Sequence, residues 1–256
     1  MTIITAPRFA AIALASIASI VPATSIAQDR TEPESGVYVT LSGGVTSPSD
    51  ETFEGVQAPT GTSPGAAGAP ASVAVEFDEG FTFAGAVGYK LPTRFLGVFE
   101  PSVELEYSNA SSDVAGGAFN GGSQTFGGDI DVNTFTINYR SELRFKDNQA
   151  LVPFFGGGLG VADVDANITY FPNNGIATSP TFAVQGGDTA FVLHSNAGLS
   201  LRLTDNIDLE GRLRYQRTSG LSFERNFIAD NSGSFNAEVD GNYETVSGLL
   251  GLRYRF

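Results

Sequence analysis

The sequence predicts an all-β fold, an eight-stranded antiparallel up-and-down transmembrane β-barrel, and three observations support this prediction. Apolar and polar residues alternate with a period of two along most of the chain after residue 36. Short and long connections follow one another in turn between the alternating segments. Aromatic residues stand at both ends of the apolar face, as expected where a barrel crosses the two surfaces of a bilayer.

Eight segments show the alternation and are predicted to be strands. In IDLEGRLRYQ (207–216), Leu209 and Leu213 fall on one face, whereas Glu210 and Arg212 fall on the other. A helix would mix these two faces, because its period is about 3.6 residues. The predicted strands are residues 36–46, 80–91, 98–108, 131–145, 151–163, 189–203, 207–217 and 244–256.

The lengths of the connections predict which end of the barrel is periplasmic and which is extracellular. Three are short (92–97, 146–150 and 204–206), and four are long and rich in Gly, Ser, Asn, Pro and Asp (about 47–79, 109–130, 164–188 and 218–243). In outer-membrane barrels the short turns are periplasmic and the long loops are extracellular. We therefore expect four long acidic extracellular loops, whose carboxylates could bind calcium or could form a solvated surface.

The N-terminus resembles an export signal. Arg8 precedes the apolar run FAAIALASIASIV (9–21), and Ser25-Ile26-Ala27 offers small residues for cleavage. We expect residues 1–27 to be a cleaved signal peptide and 28–256 to be the barrel domain, with an uncleaved anchor as the alternative. No later stretch approaches 18 consecutive apolar residues, so no transmembrane helix is expected.

Composition excludes several classes of site and partner. The chain has no cysteine, which excludes disulfides, thiolate metal sites, a cysteine nucleophile and a lipoprotein anchor. A net charge of −14 argues against nucleic acid as a partner. Charged residues make up only 16% of the chain, which is low for a soluble domain. We expect no cofactor and no metal site.

The apolar face is predicted to point toward lipid, because its aromatic residues are sorted by height. One predicted girdle, near the long loops, contains Phe81, Phe83, Tyr107, Phe135, Phe191 and Tyr215. The other, near the short turns, contains Tyr89, Phe99, Phe145, Tyr254 and Phe256. Two aromatic girdles around an aliphatic band match the polarity profile of a bilayer. The alternative is a soluble periplasmic barrel with its apolar face inside.

The polar face is predicted to form an ionic network inside the barrel, because its charges are nearly balanced in a strongly acidic chain. Its eight basic residues are Lys90, Arg140, Arg144, Arg202, Arg212, Arg214, Arg253 and Arg255. Its six acidic residues are Glu100, Glu104, Glu106, Glu142, Asp208 and Glu210. Enclosed charges need partners, and eight strands leave room only for side chains.

Proximity in the predicted sheet suggests specific pairs. We expect Glu100 to pair with Arg144, Glu210 with Arg253, and Asp208 with Arg202 or Arg255. The result would be a lumen plugged by ion pairs, and the alternative is a narrow or gated ion path.

His194 is the only histidine and is predicted to face the lumen. Ser195 must then face lipid, because successive strand residues point to opposite sides. These two residues cannot form a local nucleophile–base pair, although a partner on a neighbouring strand stays open. We expect His194 to be hydrogen-bonded within the lumen.

Several stretches resemble the small outer-membrane β-barrel family that includes OmpA-like and opacity-type proteins. They are GVYVTLSGGVT (36–46), LVPFFGGGLGVADV (151–164), LSLRLTDNIDLEGRLRYQ (199–216) and the terminal LRYRF. The resemblance implies an outer-membrane barrel, here expected without a peptidoglycan-binding C-terminal domain. It also implies that the terminal aromatic residue, Phe256, is a recognition signal for the outer-membrane assembly machinery.

The residues and the resemblance together predict an integral protein of a Gram-negative outer membrane. The expected role is structural, in envelope integrity or surface display, including adhesion. The alternatives are a narrow small-solute porin and a lipid A-modifying enzyme, although no enzymatic activity is expected. Expected partners are outer-membrane lipid, lipopolysaccharide and the assembly machinery, with the protein itself a monomer.

Overall fold

A computed structural model describes residues 35–58, 67–146, 149–229 and 235–256, so the predicted signal peptide lies outside the described residues. Within that part of the chain, no helix is long and apolar enough to cross a membrane. The strands are β1 (Gly36–Pro48), β2 (Glu51–Gln57), β3 (Val73–Phe77), β4 (Gly80–Lys90), β5 (Phe99–Phe119), β6 (Gln124–Leu143), β7 (Leu151–Pro172), β8 (Phe182–Arg202), β9 (Ile207–Phe227) and β10 (Ala237–Arg255).

Eight of these strands form a closed antiparallel ring. β1 pairs with β4, the strands β4 to β10 pair in sequence, and β10 returns to pair with β1. Thr40 of β1 lies opposite Arg253 of β10 where the ring closes. Closure gives every strand two neighbours, which a backbone inside lipid requires. The predicted eight-stranded transmembrane barrel is therefore confirmed.

Above β1 and β4, a hairpin made of β2 and β3 continues the wall. β2 pairs with residues 237–240 of β10, and β3 pairs with residues 114–119 of β5. β2 and β3 also pair with each other, so they complete a second ring with β5 to β10. The chain changes from one ring to the other at residues 49–50 and 78–79. The wall thus keeps eight strands over its full height.

Strands extend well into the segments predicted as long loops, and this corrects the predicted strand ends. β5 runs to Phe119, β7 to Pro172 and β9 to Phe227, and the hairpin occupies part of 47–79. At this end, residues 120–123 connect β5 to β6 and residues 173–181 connect β7 to β8, while β10 begins at Ala237. The error arose because these strand extensions carry Asp, Asn, Ser and Gly on their outer face, which are typical loop residues.

The polarity of the two faces reverses part of the way up the wall. In one cross-strand row, Tyr107, Phe135, Val161 and Phe191 point outward. In the next outward row the register partners are Asn109, Asn133, Asp163 and Thr189. We call the part of the barrel below this change the lower tier and the part above it the upper tier.

The outward apolar surface of the lower tier has the height of an outer membrane. On β7 it runs from Leu151 to Val161, which rises about 23 Å at about 3.3 Å per residue and a tilt of about 45°. The aromatic residues predicted for the two girdles point outward and are exposed at its two edges, except Phe99, which is half-buried. We call this surface the apolar band.

Inside the upper tier lies a hydrophobic core. Along β7, Val164, Ile168 and Tyr170 are buried, whereas Asp163 and Asp165 between and beside them are exposed. This is the ordinary arrangement of a water-soluble β-barrel, with burial of apolar surface as its main stabilising contribution. A soluble type of barrel is therefore continuous with a membrane barrel along the same strands.

We predict that Ile168→Ala lowers the free energy of unfolding by about 2–4 kcal/mol, because it leaves a cavity in a packed core. The control Asp165→Ala, on the exposed face of the same strand, should change it by no more than about 0.5 kcal/mol. Denaturant unfolding of protein refolded in lipid vesicles measures both. Equal losses for the two variants would contradict a core in the upper tier.

Candidate functional site

The lumen of the lower tier is built from large side chains on some strands and small ones on others. On β7, the inward positions between Phe154 and Ala162 are all glycine (Gly156, Gly158 and Gly160). A Cβ at Gly158 would collide with the side chains of Asn138 and His194, which occupy the space that this glycine leaves. A Cβ at Gly156 or Gly160 would come within 2.3 Å or 2.0 Å of a carbonyl oxygen of β6, so the two strands approach closely there. The GGGLG stretch of the sequence is therefore a steric requirement of the lumen.

The buried charges of the lumen balance. Six buried cations are Lys90, Arg140, Arg144, Arg212, Arg214 and Arg253, and six buried carboxylates are Glu100, Glu104, Glu106, Glu142, Asp208 and Glu210. The two other side chains predicted for the network, Arg202 and Arg255, lie nearer the turn end, with 23% and 16% of their side-chain surface exposed. The deeply buried set is thus neutral, which limits the cost of desolvation.

Glu210 and Glu142 occupy the centre of the network. Arg140 donates two hydrogen bonds to Glu210, from Nη2 to Oε1 at 2.7 Å and from Nη1 to Oε2 at 3.1 Å. Arg253 Nη2 lies 3.0 Å from Glu210 Oε1, and its other terminal nitrogen contacts Glu142. The structure therefore places Arg253 against Glu210, as expected, and adds Arg140, which lies on a strand that is not adjacent to β9.

Two further clusters flank the centre. Toward the upper tier, Glu106 accepts hydrogen bonds from Arg212 at 3.0 Å and from Arg214 at 2.5 Å. Toward the turn end, Glu100 lies 2.6 Å from Lys90 Nζ and 3.0 Å from Arg144 Nε.

At the turn end, Asp208 meets both arginines that the sequence suggested for it. It lies 3.1 Å from Arg255 and 4.0 Å from Arg202. Together with the Glu100–Arg144 contact, these distances place the expected partners side by side.

Arg94 is a network residue that the sequence analysis missed. It belongs to the segment 92–97, which was predicted only as a short turn between two strands. The turn folds inward, so that Arg94 Nε donates to Glu100 Oε1 at 2.9 Å. Leu96 and Gly97 have positive φ angles of 49° and 70°, and Phe99 N donates back to Phe95 O. No periodicity marks an inward turn, and the only available signal was an arginine six residues before a lumen glutamate.

His194 faces the lumen and is buried. Its Nε2 lies 2.9 Å from Asn138 Oδ1, and the two side chains meet across β7 at Gly158. A Cβ at Gly158 would come within 1.9 Å of Asn138 Oδ1, so this contact depends on a residue without a side chain. Ser195 is exposed on the opposite face of the strand.

At the top of the upper tier, aromatic rings pack around the buried side chain of Arg225. The guanidinium carbon lies 4.1 Å from the Phe119 ring centre and 4.4 Å from that of Phe182. Arg225 Nε donates to the hydroxyl of Tyr170 at 2.5 Å, and Nη1 donates to Phe235 O at 2.9 Å. Burial raises the pKa of Tyr170, and the neighbouring Arg225 opposes this rise.

The outer face of the upper tier is acidic. Asp113 lies opposite Asp129, and Asp131 lies opposite Asp165, in cross-strand register. Like charges placed directly opposite one another are destabilising, so this surface is not optimised for the stability of the sheet. Among the residues that the structure describes, no three His, Asp or Glu side chains are arranged to hold a metal ion.

We predict that Arg140→Met alone costs about 3–5 kcal/mol of unfolding free energy, because it leaves Glu210 with one buried partner fewer. The double variant Arg140→Met, Glu210→Met should cost less than either single change, since it removes both charges. Denaturant unfolding in lipid gives all the values.

The matched control is Arg217→Met. Arg217 pairs with Glu244 at 3.3 Å and is 49% exposed, so its loss should cost no more than about 1 kcal/mol. A double variant at 140 and 210 that loses the sum of the two single changes would contradict a coupled network.

Comparison with known proteins gives the family. The model of the outer membrane protein beta-barrel domain matches residues 10–256. A search of curated proteins found no match. The solved structure of OprG from Pseudomonas aeruginosa is similar with a TM-score of 0.52 and 17% identity, over 86% of this chain and 96% of that one.

Two other similar structures are Neisserial surface protein A and the protease OmpT from Escherichia coli. The first has a TM-score of 0.43 and 13% identity, over 88% of this chain and 100% of that one. The second has a TM-score of 0.48 and 12% identity, over 90% and 99%. The family match, which spans nearly the whole chain, agrees with the closed ring and its apolar band. The chain therefore belongs to the outer membrane protein β-barrel domain family and resides in the outer membrane.

Proposed function

We propose that this protein is a sealed structural barrel that supports the integrity of the outer membrane and displays an acidic surface outside it. The observation that carries the proposal is the filling of the interior at every level. The lower tier holds twelve buried, charge-balanced side chains, and the upper tier holds a hydrophobic core. A porin keeps a water-filled lumen, whereas small barrels fill theirs with side chains.

Surface display is supported by the height of the wall. On β7 the strand continues from Asp163 to Pro172 beyond the apolar band, which is about 20 Å at the usual rise and tilt. In barrels of this kind that end is extracellular. Its outward carboxylates would lie among the head groups and core sugars of lipopolysaccharide, which we propose as a partner of this surface.

A narrow pore is the second candidate, and one observation favours it. Several buried polar atoms of the lower tier have no protein partner, among them Asn138 Nδ2, His194 Nδ1 and Arg214 Nε. Groups of this kind are usually bonded to water. Lipid A modification has no comparable support, since His194 and Ser195 lie on opposite faces of β8.

Purified protein in planar bilayers should show no stable conductance, because charges and apolar groups fill the interior. A deletion strain should become more sensitive to detergents and to large antibiotics, with unchanged lipid A by mass spectrometry. Both the wild type and His194→Ala should restore resistance. Steps of porin size from the wild-type protein would refute the sealed barrel, and altered lipid A in the deletion strain would favour the enzyme.

We predict that deleting Phe256 lowers the amount of protein in the outer membrane more than it lowers stability. The side chain is 74% exposed, and its ring packs edge-on against that of Tyr254, with 5.1 Å between the ring centres. Phe256→Tyr, which keeps an aromatic terminus, is the control and should assemble normally. Surface labelling measures assembly, and unfolding of refolded protein measures stability. Equal surface levels for the truncated and full-length proteins would exclude a role in assembly.

A further inference from the structure

We propose that the hydrophobic core of the upper tier, and not the ionic network below it, is the barrier that stops ions and water from crossing the barrel. The inference rests on the proposed function, since it locates the seal of a sealed barrel. We call this core the apolar plug. It consists of Phe53, Ala71, Val73, Val75, Phe77, Val114, Ile130, Val132, Ala162, Val164, Ala166, Ile168, Tyr170, Val184, Ala190, Val192, Leu221, Phe223, Ala237, Val239 and Tyr243.

The apolar plug spans the whole cross-section of the barrel. Each of the eight wall strands of the upper tier, β2, β3 and β5 to β10, contributes at least one of its residues. The β2–β3 hairpin contributes two of its aromatic side chains. Phe53 packs edge-on against Phe223 of β9, and Phe77 packs edge-on against Tyr243 of β10, each with ring centres 5.6 Å apart.

The ionic network differs from the apolar plug, because many of its buried polar atoms lack a protein partner, which is typical of a hydrated region. Its buried side-chain atoms without a protein partner include Thr40 Oγ1, Ser102 Oγ, Thr136 Oγ1, Asn138 Nδ2, Arg140 Nε, His194 Nδ1, Arg212 Nε, Arg214 Nε and Arg253 Nε. Such atoms also lie within or beside the apolar plug, namely Ser112 Oγ, Thr218 Oγ1 and Tyr243 Oη, but these are hydroxyls and none belongs to a charged group. Buried donors and acceptors of this kind are normally satisfied by ordered water. Partly exposed Arg202 and Arg255 at the turn end give water a way in. We infer a wet lower lumen.

A wet charged region and a dry apolar region differ as barriers. Ions can exchange partners along fixed charges and water, so an ionic network slows ions without excluding them. An apolar constriction expels water, and a charge that enters it loses its hydration without gaining a partner. Where the two lie in series, the apolar plug sets the permeability.

Cysteine accessibility tests the boundary directly, because the chain has no cysteine of its own. Thr136→Cys places a thiol in the lower lumen, and Ala162→Cys places one in the apolar plug, on the adjacent strands β6 and β7. Both substitutions change little volume. Protein reconstituted in lipid vesicles is treated with silver ion, which is small enough to follow water, and the free thiols left are then titrated after unfolding.

We expect silver to mask the thiol of Thr136→Cys about tenfold faster, or more, than that of Ala162→Cys. Equal rates, or a faster reaction of Ala162→Cys, would overturn the proposal. A conducting wild-type protein is a separate result, because it would refute the sealed barrel itself.

Ion leakage from vesicles tests which tier holds the seal. One variant neutralises a pair of the network with Arg140→Gln and Glu210→Gln. The other makes the apolar plug polar at nearly constant volume with Val132→Thr, Val164→Thr and Val192→Thr. Folding of each is checked by circular dichroism and by heat-dependent migration in gels.

We expect leakage at least about tenfold above wild type from the plug variant, and wild-type leakage from the network variant. A folded plug variant that leaks no faster than the wild type would overturn the proposal. A network variant that leaks as fast as the plug variant would overturn it too. If the triple variant does not fold, Val192→Thr alone is measured under the same criteria.

Discussion

Closure of the sheet is the constraint on which the rest of this molecule depends. Once β10 pairs with β1, the backbone is satisfied and the wall has no edge to offer lipid. Closure also encloses a tube too narrow for bulk water, so each inward side chain must find its partners within that tube. The balance of six cations against six carboxylates, and the inward glycines of β7 beside Asn138 and His194, both follow from this confinement.

The same strands face lipid in the lower tier and water in the upper tier. The side chains inside the barrel are charged where lipid lies outside and apolar where water lies outside. Where lipid surrounds the barrel, outward apolar residues gain nothing from each other, and ladder hydrogen bonds and ion pairs fix the structure. Where water surrounds it, burial of apolar surface becomes the main source of stability. Val161 and Asp163 are two residues apart on the same face of β7, yet Val161 belongs to the lipid-facing apolar band and Asp163 to the water-facing upper tier.

The sequence predicted the part of this arrangement that depends on period and chemistry. Alternation around Leu209 and Glu210 identified a strand and its two faces, and the aromatic residues identified the lipid side. The upper strands were missed because Asp165 and Asn167 face water and resemble loop residues. The Arg140–Glu210 contact was missed because it spans strands that are not neighbours, and sequence spacing does not report how a sheet curls.

Gly158 shows what confinement means for the evolution of such a lumen. Its missing side chain leaves the volume through which Asn138 and His194 touch, so the space belongs jointly to three strands. A methyl group gained at Gly158 is acceptable only if Asn138 or His194 becomes smaller at the same time. Changes inside the barrel should therefore arise as compensated sets that conserve volume and charge, while the lipid-facing positions beside them vary one at a time.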